Sequence, residues 1–316
     1  MTVFKGIESI SKPSFTDVLS SNLINYLDYG FTDIGGFFNV RLNTDGQYGG
    51  KRDVLMPLND PRFPQNKVWQ SRRKNWVWEN ETSVGSPIPI SGVYINGSLT
   101  TSGYNIDYRN GVVVFDNPVP ASSTVQVEYS YKWVYVDDTQ NLPINRRLDA
   151  NSFRFEDSNF IVSSGNLGTL PQNRVQMPFI GVNVLEERMS SPYEIGSYST
   201  LTKNRVLLNI FSESKTEARK IADVICSQEN RTVPMFDPYE VVLNSGSALD
   251  FRGYLVNPSS IWKNLVKPSG EGGFLWNGSQ NSNTRITKCV AEEGDWLHEK
   301  MYHITVRLTT ETVLYN

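Results

Sequence analysis

The fold is decided by residues 93–136, which read VYINGSLTTSGYNIDYRNGVVVFDNPVPASSTVQVEYSYKWVYV. Apolar and polar residues alternate along much of this stretch, and a period of two is that of a β-strand with one buried face. Asn96-Gly97 is the dipeptide most typical of a two-residue hairpin turn, and Asn110-Gly111 repeats the signal. We therefore predict about five short antiparallel strands between residues 90 and 137, in a small β-sandwich-like module over residues 76–137.

A helix followed by extended loops is predicted upstream, over residues 1–75. Ser14 is a suitable N-cap with Asp17 as its capping-box partner, and Gly30 stands where a helix would end. Apolar residues between them recur at close to 3.6 residues, namely Phe15, Val18, Leu19, Leu23, Tyr26 and Leu27. Residues 31–75 are rich in glycine, asparagine and proline turn signals. We expect the helix to pack on its own domain, with an arm that reaches a neighbouring subunit as the alternative.

The C-terminal part, residues 177–316, is predicted to be an α+β domain, separated from the β-sandwich-like module by a polar linker with loops over residues 138–176. Ser214 and Glu217 form a capping box that opens a helix running to about Gln228. This is the one principal helix, packed on a mixed or antiparallel sheet. The strands of that sheet are predicted near residues 178–185, 206–211, 239–243, 251–256, 285–291 and 302–312.

Two of these strands carry more specific signals. Residues 206–211 are nearly continuously apolar, which predicts a central strand covered on both faces. Residues 302–312 alternate between apolar and polar side chains, which predicts one dry and one wet face. The glycine- and serine-rich residues 269–283 are predicted to form a loop. The fold class is thus mainly β with α+β.

Composition excludes several classes of function. The formal net charge of the 316 residues is −3, so no overall positive field recruits nucleic acid or anionic membrane. No apolar run is long enough to span a bilayer and no signal-peptide core is present, so we expect no association with a membrane. Two cysteines exclude a disulfide framework and fit a reducing compartment. The aromatic share of 12% is typical of β-rich proteins and of interfaces.

Residues that could carry chemistry are few, and we expect no enzyme activity, no metal and no cofactor. The two histidines, His298 and His303, lie beside no recognisable nucleophile motif. Together with Cys226 and Cys289 they offer zinc-ligand types, but the cysteines are not closely paired as structural zinc sites require. The alternative is a glycosidase whose carboxylates, at residues 137–138 and 292–295, are brought together by the fold.

One basic stretch is interleaved with tryptophans and is the candidate site of contact. Basic and aromatic side chains together can hold phosphates and stack on bases, and they are also enriched at protein interfaces. The acidic chain favours a protein interface over nucleic acid, and a solvated loop with its tryptophans tucked into the β-sandwich-like module stays open as a third interpretation. The residues are Lys67, Trp69, Arg72, Arg73, Lys74, Trp76 and Trp78.

Two segments resemble virion proteins of tailed bacteriophages. Residues 91–133, SGVYINGSLTTSGYNIDYRNGVVVFDNPVPASSTVQVEYSYKW, resemble small β-modules common in those proteins. Residues 192–237, PYEIGSYSTLTKNRVLLNIFSESKTEARKIADVICSQENRTVPMFD, look like neck and tail-terminator proteins, in which a strand, a helix and a further strand form one subunit of a ring.

The resemblance implies a structural protein of the virion, assembled in the host cytoplasm. It implies a homo-oligomeric ring, favoured as a hexamer, that joins the tail to the head and contacts neighbouring neck, tail-tube or sheath proteins. DNA would pass through the lumen without being read. The alternative is a tail or baseplate protein that binds glycans or the host surface, with the tryptophans lining a glycan groove.

Overall fold

The structure is a computed structural model that describes residues 14–40, 52–79, 82–139, 176–194, 199–245, 262–276, 283–298 and 301–314. The described residues are mainly β and divide into two compact units. The inserted unit comprises residues 30–135 and Gln176. The sheet unit comprises residues 14–29, 136–139 and the described part of 177–314. The sheet unit is therefore discontinuous in sequence, and the inserted unit interrupts it.

The inserted unit consists of short antiparallel strands. Two four-stranded sheets, ordered β2-β9-β5-β6 and β3-β4-β8-β7, accompany the pair β1-β10. Buried side chains of both four-stranded sheets meet in one core, which supports the predicted sandwich-like arrangement. The strands are β1 Phe37–Asn39, β2 Asp53–Val54, β3 Met56–Leu58, β4 Val68–Gln70, β5 Val93–Ile95, β6 Ser98–Thr100, β7 Tyr104–Asp107, β8 Val112–Phe115, β9 Val125–Val127 and β10 Ser130–Lys132.

Both predicted hairpin turns are present. Asn96 and Gly97 join β5 to β6 with φ of 50° and 84°, the positive values that a two-residue primed turn requires. Gly111, with φ of 64°, stands between β7 and β8. A Cβ at Gly111 would lie 2.2 Å from the carbonyl oxygen of Arg73, so the close approach of this backbone also demands glycine.

The predicted boundary at residue 75 does not follow these sheets. Residues 31–75 contain β1 to β4, where only loops were predicted. Strand β2 pairs with β9 and β4 pairs with β8, so two sheets cross the boundary. These strands are two or three residues long, too short to produce a detectable alternation in sequence. Residues 140–175, most of the predicted linker, lie outside the described residues.

The sheet unit contains a seven-stranded sheet of order β11-β12-β13-β17-β15-β14, with β16 paired to β17. Its strands are β11 Tyr135–Asp138, β12 Phe179–Pro192, β13 Thr200–Ser212, β14 Thr232–Pro234, β15 Asn283–Ala291, β16 Asp295–His298 and β17 Met301–Leu314. Its helices are α1 Phe15–Asp33, whose last turn falls in the inserted unit, α2 Lys215–Cys226, α3 Pro238–Ser245 and α4 Trp262–Leu265.

One face of the central strands is dry and carries the principal helix. Strand β13 buries Val206, Leu208 and Ile210 there, and their partners on β17 are Leu308, Val306 and Ile304. Helix α2 contacts β13, β15 and β17 and buries Ala218, Ile221, Ala222 and Ile225. The predicted cap is confirmed, because Ser214 accepts a hydrogen bond from the backbone N–H of Glu217.

The other face of the central strands is wet, as the alternation in β17 predicted. Leu207 and Asn209 of β13 are only half-buried, and Lys203 and Arg205 are exposed. Strand β13 is therefore central, but the prediction that it is covered on both faces is wrong. Its apolar run is broken by one polar residue, Asn209, at a half-buried position that tolerates water.

Helix α1 is anchored in the sheet unit by reciprocal hydrogen bonds. The side-chain amide of Asn22 donates to the carbonyl of Phe236 at 2.9 Å, and its oxygen accepts from the N–H of Phe236 at 2.8 Å. The Tyr26 hydroxyl donates to Gln228 at 2.8 Å, and its ring packs edge-on against Trp262. The helix thus packs within its own chain, but on residues of the predicted C-terminal domain and not on the predicted N-terminal region 1–75.

One predicted helix end and one predicted strand are wrong. Helix α1 continues through Gly30, and the positive φ of 85° falls instead on Gly35. Residues 239–243 form helix α3, because Asp237 accepts from the N–H of Tyr239 and Pro238 takes the first helical position. The predicted strand at 251–256 lies outside the described residues, as does part of the predicted loop at 269–283, which begins with a 3₁₀ turn at Ser269–Glu271.

Candidate assembly surface

One lateral margin of the sheet is an exposed stretch of strand β12. Residues 186–192 of β12 are exposed. The described strand on the side of β12 away from β13 is β11, which is four residues long and leads into Thr139, whose N–H donates to the Val182 carbonyl. Met189 and Tyr193 are 59% and 47% exposed. An unpaired strand presents a row of backbone N–H and C=O groups to any chain that can pair with it. We call residues 188–193 the β12 margin.

The opposite lateral margin carries a second exposed apolar group. Strand β16 pairs with β17 on the side away from β13, and no described strand pairs with its other side. Val290, Trp296 and Leu297 are 41%, 46% and 53% exposed. We call these three residues the β16 margin. Met189 pairs with Lys203 of β13, and Lys203 pairs with Glu311 near the end of β17. Trp296 pairs with Tyr302 near the start of β17. The two margins therefore lie at diagonally opposite corners of the sheet.

The wet face between the margins is polar. Three cross-strand ion pairs lie on it: Lys203 with Glu311 at 2.6 Å, Arg205 with Glu187 at 3.0 Å, and Arg307 with Glu292 at 2.5 Å. Every side chain in these pairs is at least 27% exposed, so solvent screens them and each contributes little to stability. The exposed apolar side chains of the sheet unit are thus concentrated on its margins.

His303 belongs to this wet face and has structural partners. Its ring stacks on Phe211 with centroids 4.7 Å apart, and its Nε2 lies 3.2 Å from the Asn209 side-chain oxygen. Burial lowers the pKa of His303, and the negative charge of Glu292 opposes that shift. The imidazole is therefore held as a neutral packing group on the sheet.

The three tryptophans of the predicted contact stretch lie inside the inserted unit. Trp69, Trp76 and Trp78 are 2%, 0% and 4% exposed. The Trp76 ring stacks on Tyr129 with centroids 4.4 Å apart, and its Nε1 donates to the Arg73 carbonyl at 3.0 Å. Rings enclosed in this way cannot stack on a base or line a glycan groove, which agrees with the third interpretation of the stretch.

The basic residues of the stretch are divided between interior and surface. Lys74 is buried, and its backbone N–H donates to the Gln176 side-chain oxygen at 3.0 Å. Lys67, Arg72 and Arg73 are half-buried, and the Arg73 guanidinium lies 4.7 Å from the centre of the Tyr131 ring. A contact through Lys67, Arg72 and Arg73 stays a prediction, now without the tryptophans.

A buried ion pair beside this stretch has no signal in the sequence. The Lys132 ammonium lies 2.6 Å from the Glu79 carboxylate, and both side chains are almost fully buried. The ammonium also sits 3.7 Å from the centre of the Trp78 ring. The partners are 53 residues apart, so only the fold brings them together.

A second buried network joins Asp53, Ser71 and Tyr129. The Tyr129 hydroxyl donates to the Asp53 carboxylate at 2.6 Å, and the Ser71 hydroxyl lies 2.8 Å from the same oxygen and 2.6 Å from Tyr129. Burial raises the pKa of Tyr129 well above its usual range, and the charge of Asp53 raises it further, against a smaller opposing effect of Arg73.

We expect the inserted unit to lose stability in base for this reason. The pKa of Tyr129 is higher in the folded state than its value of about 10 in the unfolded chain. The stability that the neutral Tyr129 contributes is therefore complete below about pH 10 and is lost as the pH rises above that value. The free energy of unfolding should fall by up to about 1.4 kcal/mol per pH unit in that range. Urea unfolding followed between pH 8 and pH 11 measures the slope. Tyr129→Phe should flatten it relative to wild type; parallel curves would contradict this assignment.

The other candidate chemical sites are not assembled. Residues 137–138 lie on strand β11 and Glu292 follows strand β15, with three strands of the sheet between them. Cys226 and Cys289 do meet, but His303 lies on the opposite face of the sheet. Within the described ranges there is no group of three or more His, Cys, Asp or Glu side chains that could hold a metal. None of the helices in those ranges is long and apolar enough to cross a membrane.

Comparison with known proteins found no matching family model and no matching curated protein.

Proposed function

We propose that this chain is a structural subunit that assembles with copies of itself into a closed ring. The observation that carries the proposal is the pair of exposed apolar margins, which lie on opposite sides of one sheet within the described part of the chain. Contact between the β12 margin of one copy and the β16 margin of the next would pair backbone groups and cover Met189, Tyr193, Trp296 and Leu297.

The contact is heterologous, because the two margins differ. The β12 margin lies at the end of a 14-residue strand in a long hairpin, whereas Trp296 and Leu297 of the β16 margin lie on a four-residue strand that follows an interruption at residues 292–294. Head-to-tail contacts of this kind propagate, and they end in a ring when the rotation between neighbours closes. The diagonal placement of the margins sets the strands of neighbouring copies at a stagger, so they would tilt against the ring axis.

The place of this ring in a tailed phage, at the neck between head and tail, is part of the proposal and depends on the sequence resemblance of residues 91–133 and 192–237. A hexamer with neighbouring neck, tail-tube or sheath proteins, in a virion assembled in the host cytoplasm, follows from the same resemblance. Mass spectrometry of purified phage particles from cells that produce this chain tests it. Absence of the chain from those particles would overturn the neck assignment and leave the self-assembly proposal intact.

The margins can be tested by two charge substitutions. Met189→Glu and Leu297→Glu each place a carboxylate in the proposed contact, and each should weaken self-association at least tenfold, about 1.4 kcal/mol per contact. Light scattering and electron microscopy of the wild type should show one closed species. A strictly monomeric wild type would overturn the proposal.

Mixing the two variants identifies the geometry of the contact. Each variant retains one intact margin, so an equimolar mixture should form a dimer and nothing larger if the contact joins unlike margins. If like margins joined, each variant alone would form dimers, and the heterologous arrangement would be wrong. Leu99→Glu, at a 50%-exposed leucine of the inserted unit, is the matched control and should leave the oligomer unchanged.

A further inference from the structure

The only two cysteines of the chain meet in the fold, although the sequence separates them widely. Cys226 is the last residue of α2. Cys289 lies on β15 and pairs with Leu308, one of the buried residues of β17 on the dry face of the sheet. Their sulfur atoms are 3.4 Å apart. This is close to van der Waals contact, and the atoms would have to approach further to reach the roughly 2.05 Å of a disulfide.

The surrounding groups hold Cys289 against the end of the helix. Its backbone N–H donates to the Glu229 carboxylate at 3.2 Å, and its thiol points to the Ile225 carbonyl at 3.7 Å. Both cysteines are half-buried, so a small reagent can reach them while the chain is folded. The two thiols are therefore placed as a pair by contacts on both elements.

We propose that Cys226 and Cys289 form a reversible dithiol–disulfide site whose reaction partner is a low-molecular-weight disulfide such as oxidised glutathione. The Cys226 thiolate attacks one sulfur of that disulfide, forms a mixed disulfide and releases one small thiol, which takes up a proton. Cys289 then loses its proton and attacks the Cys226 sulfur, displacing the second small thiol. Two protein thiols are oxidised by two electrons, and the small disulfide is reduced to two thiols.

The order of attack follows from the surroundings of Cys289. Burial raises the pKa of the Cys289 thiol, and its contact with Cys226 and the charge of Glu229 raise it further. Because the thiolate is the nucleophile, Cys289 is a poor first attacker at neutral pH and suits the second, intramolecular step. The closed bond would tie the end of α2 to β15 and so fasten the principal helix to its sheet.

The test uses the full chain equilibrated with mixtures of reduced and oxidised glutathione. Peptide mapping without reductant should find one intrachain bond between Cys226 and Cys289, and the Tm of the sheet unit should rise by about 5–15 °C when it closes. The same chain unfolded in urea is the control. At the same ratio of reduced to oxidised glutathione, its equilibrium constant for forming the intrachain disulfide should be at least tenfold lower. Equal closure in both states, or bonds only between chains, would overturn the proposal.

Two single-thiol variants test the order of the steps. Cys289→Ser should accumulate the mixed disulfide on Cys226, and Cys226→Ser should react with oxidised glutathione at least tenfold more slowly. Equal rates would overturn the assignment of Cys226 as the first attacker. If a variant fails to fold, the wild-type mapping in native and unfolded states still decides whether the pair closes.

Discussion

Replacing Trp76 by alanine is expected to destabilise the inserted unit by about 3–5 kcal/mol. The indole is fully buried, stacks on Tyr129 and donates to the Arg73 carbonyl, so truncation leaves a cavity, removes a ring contact and deprives a carbonyl of its donor. Because this ring belongs to the core that both four-stranded sheets share, its loss should loosen the whole unit.

Urea unfolding monitored by hydrogen exchange of peptides from residues 52–135 measures the effect of Trp76→Ala. Phe38→Ala is the control, because truncation of a 50%-exposed ring of the same unit should cost less than about 1 kcal/mol. A loss below 1 kcal/mol in Trp76→Ala would show that the core tolerates the cavity and would contradict the burial argument. Any ligand binding that disappears in Trp76→Ala would thus report a loss of folding.

Replacing Lys132 by methionine is expected to cost about 3–5 kcal/mol, because it leaves the Glu79 carboxylate buried without a counter-charge. The methionine retains most of the volume that packs on Trp78, so the loss reports charge more than cavity. Glu79 must then remain ionised at a cost or take up a proton, and either outcome lowers the free energy of unfolding.

The double variant Lys132→Met with Glu79→Met distinguishes the loss of the ion pair from the cost of leaving one charge buried without a partner. Since apolar residues of similar volume often replace a buried pair without loss, the double variant should recover most of the stability of the wild type. Arg205→Met removes the cation of an exposed pair with Glu187 and should produce no measurable change. A double variant as unstable as Lys132→Met would show that packing, and not the uncompensated charge, dominates.

The elements that sequence predicted well are those with local signals. Asn96-Gly97 fixes its hairpin through backbone conformation, and Ser214 with Glu217 fixes the start of α2 through hydrogen bonds within three residues. Such signals act over one turn and can be read before any tertiary contact is known. Helix α3 also had a local signal, Asp237-Pro238, but apolar residues 241–243 suggested a strand.

The site features depend on distant contacts, and the sequence could not supply them. Trp69, Trp76 and Trp78 have the composition of a contact surface, and only the sheets around them show that they are core. The exposed Trp296 and Leu297 had no feature that separated them from buried apolar residues. Cys226 and Cys289 lack the close sequence pairing of a structural zinc site and gave no other signal, whereas the packing of α2 on β15 brings their sulfur atoms into contact.

The anchoring of α1 by Phe236 has a consequence for the newly made chain. The helix leaves the ribosome before Phe236, whose backbone pairs with the Asn22 side chain and which follows 214 positions later. At typical rates of translation, the apolar side of α1 waits about 10–40 s for its partner. Residues 30–135 of the inserted unit are synthesised before Phe236, so we expect the strands of that unit to fold while the apolar side of α1 still lacks this partner.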